Sequence, residues 1–420
     1  MKARFTPALF AHAEAVLGQL LRFEHPADAV VSRYFREHRQ LGHADRAFVA
    51  ETVFAVLRRW RSLEARCAGE TSARRLLLAA LAMVRGWSLR ELAPVLRNSE
   101  EAWLGQVKGM DDSVWPAAVR CDMPDWLYEW LAAQLGADEV PALARAMNQP
   151  APLDLRVNTL KTSREAVLEQ FAAEGIAAQP TPYAPHGIRL RDKPALAKHP
   201  LFLDGAFEVQ DEGSQLLGLL LEARRGEMVM DFCAGAGGKT LLIGAQMKNT
   251  GRLYACDVSD KRLANLKPRL ARSGLSNVHP IRIEHERDTK LKRLTGKLDR
   301  VLVDAPCSGL GTLRRNPDLK WRQGESAVAE LMQKQSAILA AAAALVKPGG
   351  RLVYATCSLL TAENTGIVDG FLANHPQFAL IPAGSLLARH GIALEGDMLQ
   401  LLPQQHHTDG FFAAVLEKRA

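Results

Sequence analysis

No apolar run in this 420-residue chain reaches the ~18 residues that a membrane-spanning helix needs, so no such helix is expected. Lys2 and Arg4 stand at the start, but His12 and Glu14 interrupt what would have to be an apolar core, so no secretion signal is read there. Repeats and low-complexity tracts are absent. The six cysteines (Cys67, Cys121, Cys233, Cys256, Cys307, Cys357) lie far apart with no Cys-x-x-Cys pair. That spacing disfavours a metal site or a dithiol redox motif, and a chain of this length needs no disulfide staples. The thiols are therefore expected to be free, in a reducing cytoplasm. What is present is an ordinary globular balance, 48% hydrophobic and 24% charged. The net charge of +7 leans only mildly toward a polyanionic partner.

Three segments are expected: residues 1–145, 146–225 and 226–420. The first reads as all helix. Apolar positions recur at helical spacing from Ala44 to Leu57, followed by Arg58, Arg59 and Arg61, and Arg75 to Val84 is apolar almost all round, as the centre of a bundle would be. Pro124 sits at a helix start, and Pro150 and Pro152 mark a boundary. The second segment mixes short strands (Leu153–Asn158, Gly187–Leu190, Ala206–Val209) with a helix from Ser163 to Gly175, a small α+β module. In the third, strands alternate with helices, the signature of a doubly wound α/β domain with a parallel sheet. Strands are expected at Met228–Phe232, Arg252–Cys256, His279–Ile283, Arg300–Asp304, Arg351–Thr356 and Gly410–Leu416, with Lys347-Pro-Gly-Gly350 as a sharp turn.

The run Asp231-Phe-Cys-Ala-Gly-Ala-Gly-Gly-Lys-Thr240 joins an apolar strand to a helix. Glycines let the backbone approach a ligand, and the helix N-terminus faces an anionic group. A Walker A loop would need glycine at Cys233, and a dinucleotide fingerprint would need glycine or alanine at Thr240. Both readings fail at those positions. A methyltransferase loop remains, with Asp257, at the end of the next strand, as acceptor for two ribose hydroxyls. That acid alone would serve a nicotinamide cofactor equally well.

Asp304-Ala-Pro-Cys-Ser-Gly309 follows the strand ending in Val303, and Thr356-Cys-Ser358 follows the strand from Arg351. Ligands of open α/β sheets bind at the carboxyl ends of strands. Asp257, Asp304, Cys307, Cys357 and the glycine loop are thus expected to share one crevice. A lone cysteine is more often packing, but two at strand ends, each followed by serine, favour chemistry. Carbon 5 of cytosine is a poor nucleophile. A thiolate adding to carbon 6 makes it reactive toward a sulfonium methyl group, and a second thiol can assist release as acid or base. Asp304 is placed to meet ring nitrogen 3.

Taken in order, the glycine loop, Asp-Ala-Pro-Cys-Ser-Gly and Ala-Thr-Cys-Ser, with Gln210-Asp-Glu-Gly-Ser214 upstream, resemble the Sun/Nop/Fmu (RsmB-like) family of RNA 5-methylcytosine methyltransferases. Arg314-Arg-Asn-Pro-Asp-Leu-Lys-Trp321, Glu363-Asn364 and Asp409-Gly-Phe-Phe412 extend the match over about 145 to 420. The resemblance implies a Rossmann-like, seven-stranded S-adenosylmethionine methyltransferase domain, preceded by the small module and an all-α bundle. It also implies that Cys357 attacks and that Cys307 assists release. Cys233, Ala234, Gly235, Ala236, Gly237, Gly238 and Lys239 would line the cofactor site with Asp257 and Asp304. An acid ending the third strand would meet the adenine region. Glu284 best fits the spacing, with Glu286 and Asp288 as alternatives. Ala236 stands where the family often has proline. The N-terminal helices resemble, more weakly, the NusB-type RNA-binding bundle of bacterial 16S rRNA members, and the module around Arg156-Val-Asn158 resembles the family's RNA-positioning subdomain.

Twelve lysines and arginines lie in 261–300, a run that usually means a solvated face. Arg314, Arg315, Lys320 and Trp321 are better candidates for RNA, combining charge with a ring that could stack on a base or serve in packing. Cys67, Cys121 and Cys256 read as core residues, and His406 and His407 as loop residues. The expected enzyme is a monomer acting on rRNA, with tRNA as the fallback and no metal. A non-catalytic RNA-binding assembly factor ranks second and a nicotinamide oxidoreductase third.

Overall fold

The computed structural model describes residues 5–420. Lys2 and Arg4, used in reading the start of the chain, lie outside the described residues. The chain forms two compact units. One comprises the described residues up to Pro150 together with Thr312–Glu325; the other comprises Ala151–Gly311 and Ser326–Ala420. Among the described residues, no helix is long and apolar enough to cross a membrane.

The first unit is helical. Thr6 and Ser72 cap the helices Pro7–Leu20 and Ala73–Met83 by accepting the backbone N–H groups of Leu9 and Arg75. Ala73–Met83 is the central helix. Its residues Leu76 to Leu81 are completely buried, so its apolar circumference is packed on all sides. The helix His43–Arg58 ends in carbonyls that have no partner within the helix. The segment 312–325 supplies them. Trp321 donates its indole N–H to the Leu57 carbonyl (2.7 Å), and Lys320 Nζ donates to the Arg58 carbonyl (2.9 Å) and Asn148 Oδ1 (3.2 Å). The Trp321 ring stands edge-on to Trp60 with centroids 5.0 Å apart. Lys320 is only 2% exposed, and burial pulls its pKa down to about 7. The expectation that Lys320 meets RNA is therefore corrected, and of the two readings open for Trp321 the structure shows packing. They cap and pack the helical unit.

The second unit contains two sheets. The smaller has strand order β2-β3-β1-β4, all neighbours antiparallel, with β1 at Leu153–Val157, β2 at Ala178–Pro180, β3 at Gly187–Leu190 and β4 at Phe207–Val209. The helix Arg164–Ala173 buries Val167 and Phe171 in an apolar cluster with Leu155, Ile188 and Phe207.

The larger sheet has eight strands. These are β5 (Met228–Asp231), β6 (Arg252–Asp257), β7 (Val278–Arg282), β8 (Leu298–Asp304), β9 (Val346–Thr356), β10 (Phe378–Ile381), β11 (Leu399–Leu401) and β12 (Phe411–Lys418). Seven follow the order β10-β12-β9-β8-β5-β6-β7, and β11 pairs with β12. The five from β7 to β9 are parallel; β12 runs antiparallel to β9. Alternate residues face opposite sides, so Val229, Leu302 and Val353 enter one apolar cluster while Met230, Val301, Val303 and Tyr354 enter the other. After β5 the chain winds outward through β6 and β7, then returns to the other side of β5 as β8. The carboxyl ends of β5 and β8 therefore flank the crevice where such sheets bind ligands.

Lys347-Pro-Gly-Gly350 is not a turn before a strand. β9 runs through it, pairing Val346 with Leu298 and Arg351 with Arg300, so the extra residues form a bulge. Gly349 supplies the positive φ of 70° that the bulge requires.

Candidate active site

Four strands end at the crevice in polar residues: Asp231 on β5, Asp257 on β6, Asp304 on β8 and Thr356 on β9. After β5 the backbone turns through Gly235 (φ 56°) and Gly237 (φ 84°), both in the left-handed region. At Gly237 even a methyl group would meet Leu266 Cδ1 at 2.1 Å, which restricts the position to glycine on two grounds. Gly237 N–H donates back to the Ala234 carbonyl, Ala234 N–H to the Cys256 carbonyl, and the helix Gly238–Gln246 begins directly after. Asp257 accepts from Gly235 N–H at one oxygen and Ser259 N–H at the other. Each oxygen retains a lone pair for a diol.

Lys239 donates to Asp304 Oδ2 at 2.8 Å. Burial works against the Lys239 charge, but the Asp304 carboxylate prevails, and the ammonium is held above its ordinary pKa. This lysine, which superficially suggests a phosphate loop, is thus paired with the carboxylate expected to meet cytosine.

Asp231 is a site residue missed in the sequence, although it carries the same strand-end signal as Asp257 and Asp304. It is 1% exposed and accepts from Thr240 Oγ1 at 2.7 Å through Oδ2, while Oδ1 is buried with no hydrogen-bond partner among the described residues. Burial, reinforced by Asp304, pushes its carboxyl up to about 7. A buried acceptor without a donor is costly, and a cationic ligand group would satisfy it.

Cys307 and Cys357 face each other with sulfurs 3.4 Å apart, and both are free thiols. The hydrogen bond to Cys357 pushes the Cys307 thiol well above its ordinary value, and burial and the charge of Glu363 add to this. Cys233, the remaining thiol near the loop, is pushed well up by burial and then by Asp304, Asp231 and Asp257, and is unsuited to act as a thiolate.

The two cysteine loops are joined by Glu363, which is completely buried. Its Oε1 accepts from Ser308 N–H (2.8 Å) and Gln335 Nε2 (2.9 Å), and its Oε2 accepts from Ser308 Oγ (2.5 Å) and Ser358 Oγ. Asn364 continues the clip, accepting from Thr356 Oγ1 and donating to the Ser358 carbonyl. The serine after each cysteine is thus an anchor. Glu363-Asn364 entered the sequence reading only as part of a motif, because nothing in its local pattern reveals the partners at Ser308 and Gln335.

Glu284 lies on the exposed turn after β7. Of the alternatives, Asp288 is buried and occupied as a cap, accepting from the backbone N–H groups of Glu284 and Lys290. The Glu284 carboxylate remains at the surface.

A glycine loop and strand-end acids on a doubly wound parallel sheet, with paired thiols beside them, define the class: an S-adenosylmethionine-dependent methyltransferase. Residues 218–417 match the family model described as 16S rRNA methyltransferase RsmB/F, and 123–196 match the RsmF/B-like ferredoxin-like domain. The chain is 33% identical to a probable ribosomal RNA small subunit methyltransferase B of Synechocystis, covering 96% of this chain and 98% of the relative. A Bacillus subtilis protein of the same description is also 33% identical, over 77% and 73%. The solved structure of a methyltransferase homologue from Pyrococcus horikoshii superposes with a TM-score of 0.63 at 28% identity, covering 74% of this chain and all of that one. The chain belongs to the RsmB/F family of rRNA methyltransferases.

The residues present fit S-adenosylmethionine. The unpartnered Asp231 Oδ1 suits its ammonium, the buried Asp257 its ribose diol, and the N-terminus of the helix Gly238–Gln246 its carboxylate.

Proposed function

We propose that this enzyme methylates carbon 5 of a cytosine in 16S rRNA through a covalent adduct on Cys357. The observation that carries the reading is the thiol pair, 3.4 Å apart at the ends of adjacent strands β8 and β9, with the Asp304–Lys239 ion pair at the end of β8. The relatives named as small-subunit rRNA methyltransferases support the choice of RNA. Residues 1–145 serve as a NusB-like RNA-binding domain, 146–225 as a positioning module and 226–420 as the transferase, in a cytoplasmic monomer.

Bound S-adenosylmethionine supplies an electrophilic sulfonium methyl group. Cys357, as thiolate, joins carbon 6 of the cytosine while ring nitrogen 3 takes a proton that Asp304 relays from the Lys239 ammonium, and nitrogen 3 returns that proton to the pair on release. This leaves carbon 5 electron-rich enough to accept a methyl group. Before attack, Cys307 donates its proton toward the Cys357 sulfur. Once that sulfur is bonded to carbon 6, the negative charge that raised the Cys307 pKa is gone. Cys307 then ionises more readily, releases its proton to solvent, and as thiolate takes the carbon 5 proton while the carbon 6–sulfur bond breaks and Cys357 departs as thiolate. Cys233, Ala234, Gly235, Ala236, Gly237, Gly238 and Asp257 line the cofactor, and Glu284 meets its adenine end.

The test is denaturing gel electrophoresis with labelled RNA. Cys307→Ala is expected to accumulate a protein–RNA adduct, and Cys357→Ala to form none. An adduct on the Cys357 variant would reverse the roles, and full methyl transfer by it would refute the mechanism. Mapping 5-methylcytosine in rRNA and tRNA of a deletion strain assigns the nucleotide, and a site lost from tRNA alone would overturn the 16S assignment.

A further inference from the structure

The four-stranded sheet touches the cofactor loop through buried charge. Arg156 on β1 lies directly across from Glu208 on β4, so the two share one face of that sheet. Both are buried, at 5% and 6% exposure. Arg156 donates through Nη1 to the Gly238 carbonyl at 2.7 Å and also to Gln210 Oε1. Glu208 binds Arg269 (Nε 3.0 Å) and Arg272 (2.9 Å), both on the helix Asp260–Ser273. Arg269 in turn donates through Nη1 to the Ala236 carbonyl at 2.7 Å.

Two guanidinium groups therefore grip two carbonyls of the same loop, one reaching it from the small sheet and the other held in place by an acid of that sheet. Because a peptide unit is planar, fixing its carbonyl fixes its N–H in the opposite direction. The unit between Ala236 and Gly237 is pinned at both ends, by Arg269 at oxygen and by the Ala234 carbonyl at nitrogen. The unit between Gly238 and Lys239 is pinned at oxygen by Arg156, which directs the Lys239 N–H of the first helical turn away from the clamp. Asn158 tightens the same connection, donating to the Gly205 and Ser273 carbonyls, the latter at the end of the helix that carries Arg269.

We infer that Arg156 and the Glu208–Arg269 pair are positioning residues for the cofactor loop, so that the small sheet sets affinity for S-adenosylmethionine as well as any role it has toward RNA. This rests on the reading that residues 233–239 hold the cofactor. Without the clamp the loop must be ordered by the ligand itself, which raises the cost of binding without altering the thiol chemistry.

The full chain is titrated with S-adenosylhomocysteine by calorimetry, with RNA affinity and steady-state kinetics measured alongside. Arg156→Met is expected to weaken S-adenosylhomocysteine binding about tenfold, the size of one charge-assisted hydrogen bond. It should raise KM for S-adenosylmethionine similarly, leaving RNA affinity and kcat at saturating cofactor within about twofold of wild type. Arg156→Lys keeps one donor for Gly238 and should recover most of the loss. Glu208→Gln preserves shape and leaves Arg156 in place while loosening Arg269. It carries the test if the methionine variant does not fold, with the same expected direction. Unchanged S-adenosylhomocysteine affinity in the folded variants overturns the inference, as does loss confined to RNA affinity. A wild-type chain that does not bind S-adenosylhomocysteine would instead overturn the cofactor reading itself.

Discussion

Glu363→Gln tests whether the two cysteine loops are held together by a single buried carboxylate. The amide keeps the volume and one carbonyl oxygen. Ser308 N–H cannot rotate, so the amide oxygen must take the place of Oε1, where it retains Ser308 N–H and Gln335 Nε2. The NH2 group then occupies the Oε2 position facing Ser308 Oγ and Ser358 Oγ, and both hydroxyls must turn from donating to accepting. Hydrogen bonds to charged groups are worth ~1.5–3 kcal/mol against ~0.5–1.5 for neutral ones, so each of the two loses about 1 kcal/mol, or about 2 kcal/mol together. At ~2–4 °C per kcal/mol for a domain of this size, Tm should fall by about 4–8 °C. Alanine would be a poorer probe, because it removes the acceptor shared by Ser308, Gln335 and Ser358 in a dry site and invites unfolding. Activity should fall further than stability implies. The sulfurs of Cys307 and Cys357 are set by these loops, and a misplacement of ~1 Å in a reacting group can cost on the order of 100-fold in rate. Thermal melts paired with kcat at saturating RNA and cofactor read both effects. A Tm within about 1 °C of wild type together with an unchanged kcat would refute the clip.

Two further outcomes follow from titrating groups. Asp231, neutral below about 7 and charged above, should make S-adenosylhomocysteine binding tighten as pH rises through about 7; calorimetry across that range should give a flat profile for Asp231→Asn, and a slope surviving in that variant would assign the effect elsewhere. Lys320 has a folded pKa of about 7 against an ordinary value of 10.5, so between these values the unfolded chain holds a proton that the folded one lacks, and stability rises with pH by up to ~1.4 kcal/mol per unit. Lys320→Met removes that pH dependence together with the two hydrogen bonds of Nζ, so the wild type should gain stability relative to the variant as pH rises from about 7 toward ~10; a difference independent of pH would disprove the buried neutral amine.

What the sequence makes legible is governed by the distance over which each signal acts. β5, β6, β8 and β9 carry apolar runs of their own and are visible as strands. β2, β10 and β11 are absent from the sequence reading; they form where β3 and β12 offer edges to pair with. Lys347-Pro-Gly-Gly350 has the composition of a turn, yet β8 passing alongside converts it to a bulge. Lys320 and Trp321 illustrate the same limit at a larger separation. A cation beside a ring resembles a nucleic-acid contact, and only the unpaired carbonyls of Leu57 and Arg58, more than 250 residues earlier, show that the helix end needs two donors.

The site divides along the same line. The topology of a doubly wound sheet brings strand ends together, so Asp257, Asp304, Cys307, Cys357 and the glycine loop could be grouped from position alone. The rank of the two thiols could not, because both have the same neighbours in sequence: a strand before and a serine after. Packing introduces an asymmetry that is local to Cys307. The hydrogen bond between the sulfurs is common to both thiols; burial and the nearby charge of Glu363 are what favour the protonated form of Cys307. This asymmetry makes the adduct experiment discriminating. If the bond between the sulfurs is what keeps the proton on Cys307, then Cys357→Ser, which replaces the sulfur with a hydroxyl, should lower the Cys307 pKa. Alkylation of Cys307 by iodoacetamide should then accelerate relative to wild type at the same pH. An unchanged or slower rate would mean that burial, and not its partner, holds the proton, and the sequence of proton transfers argued for the release step would fail.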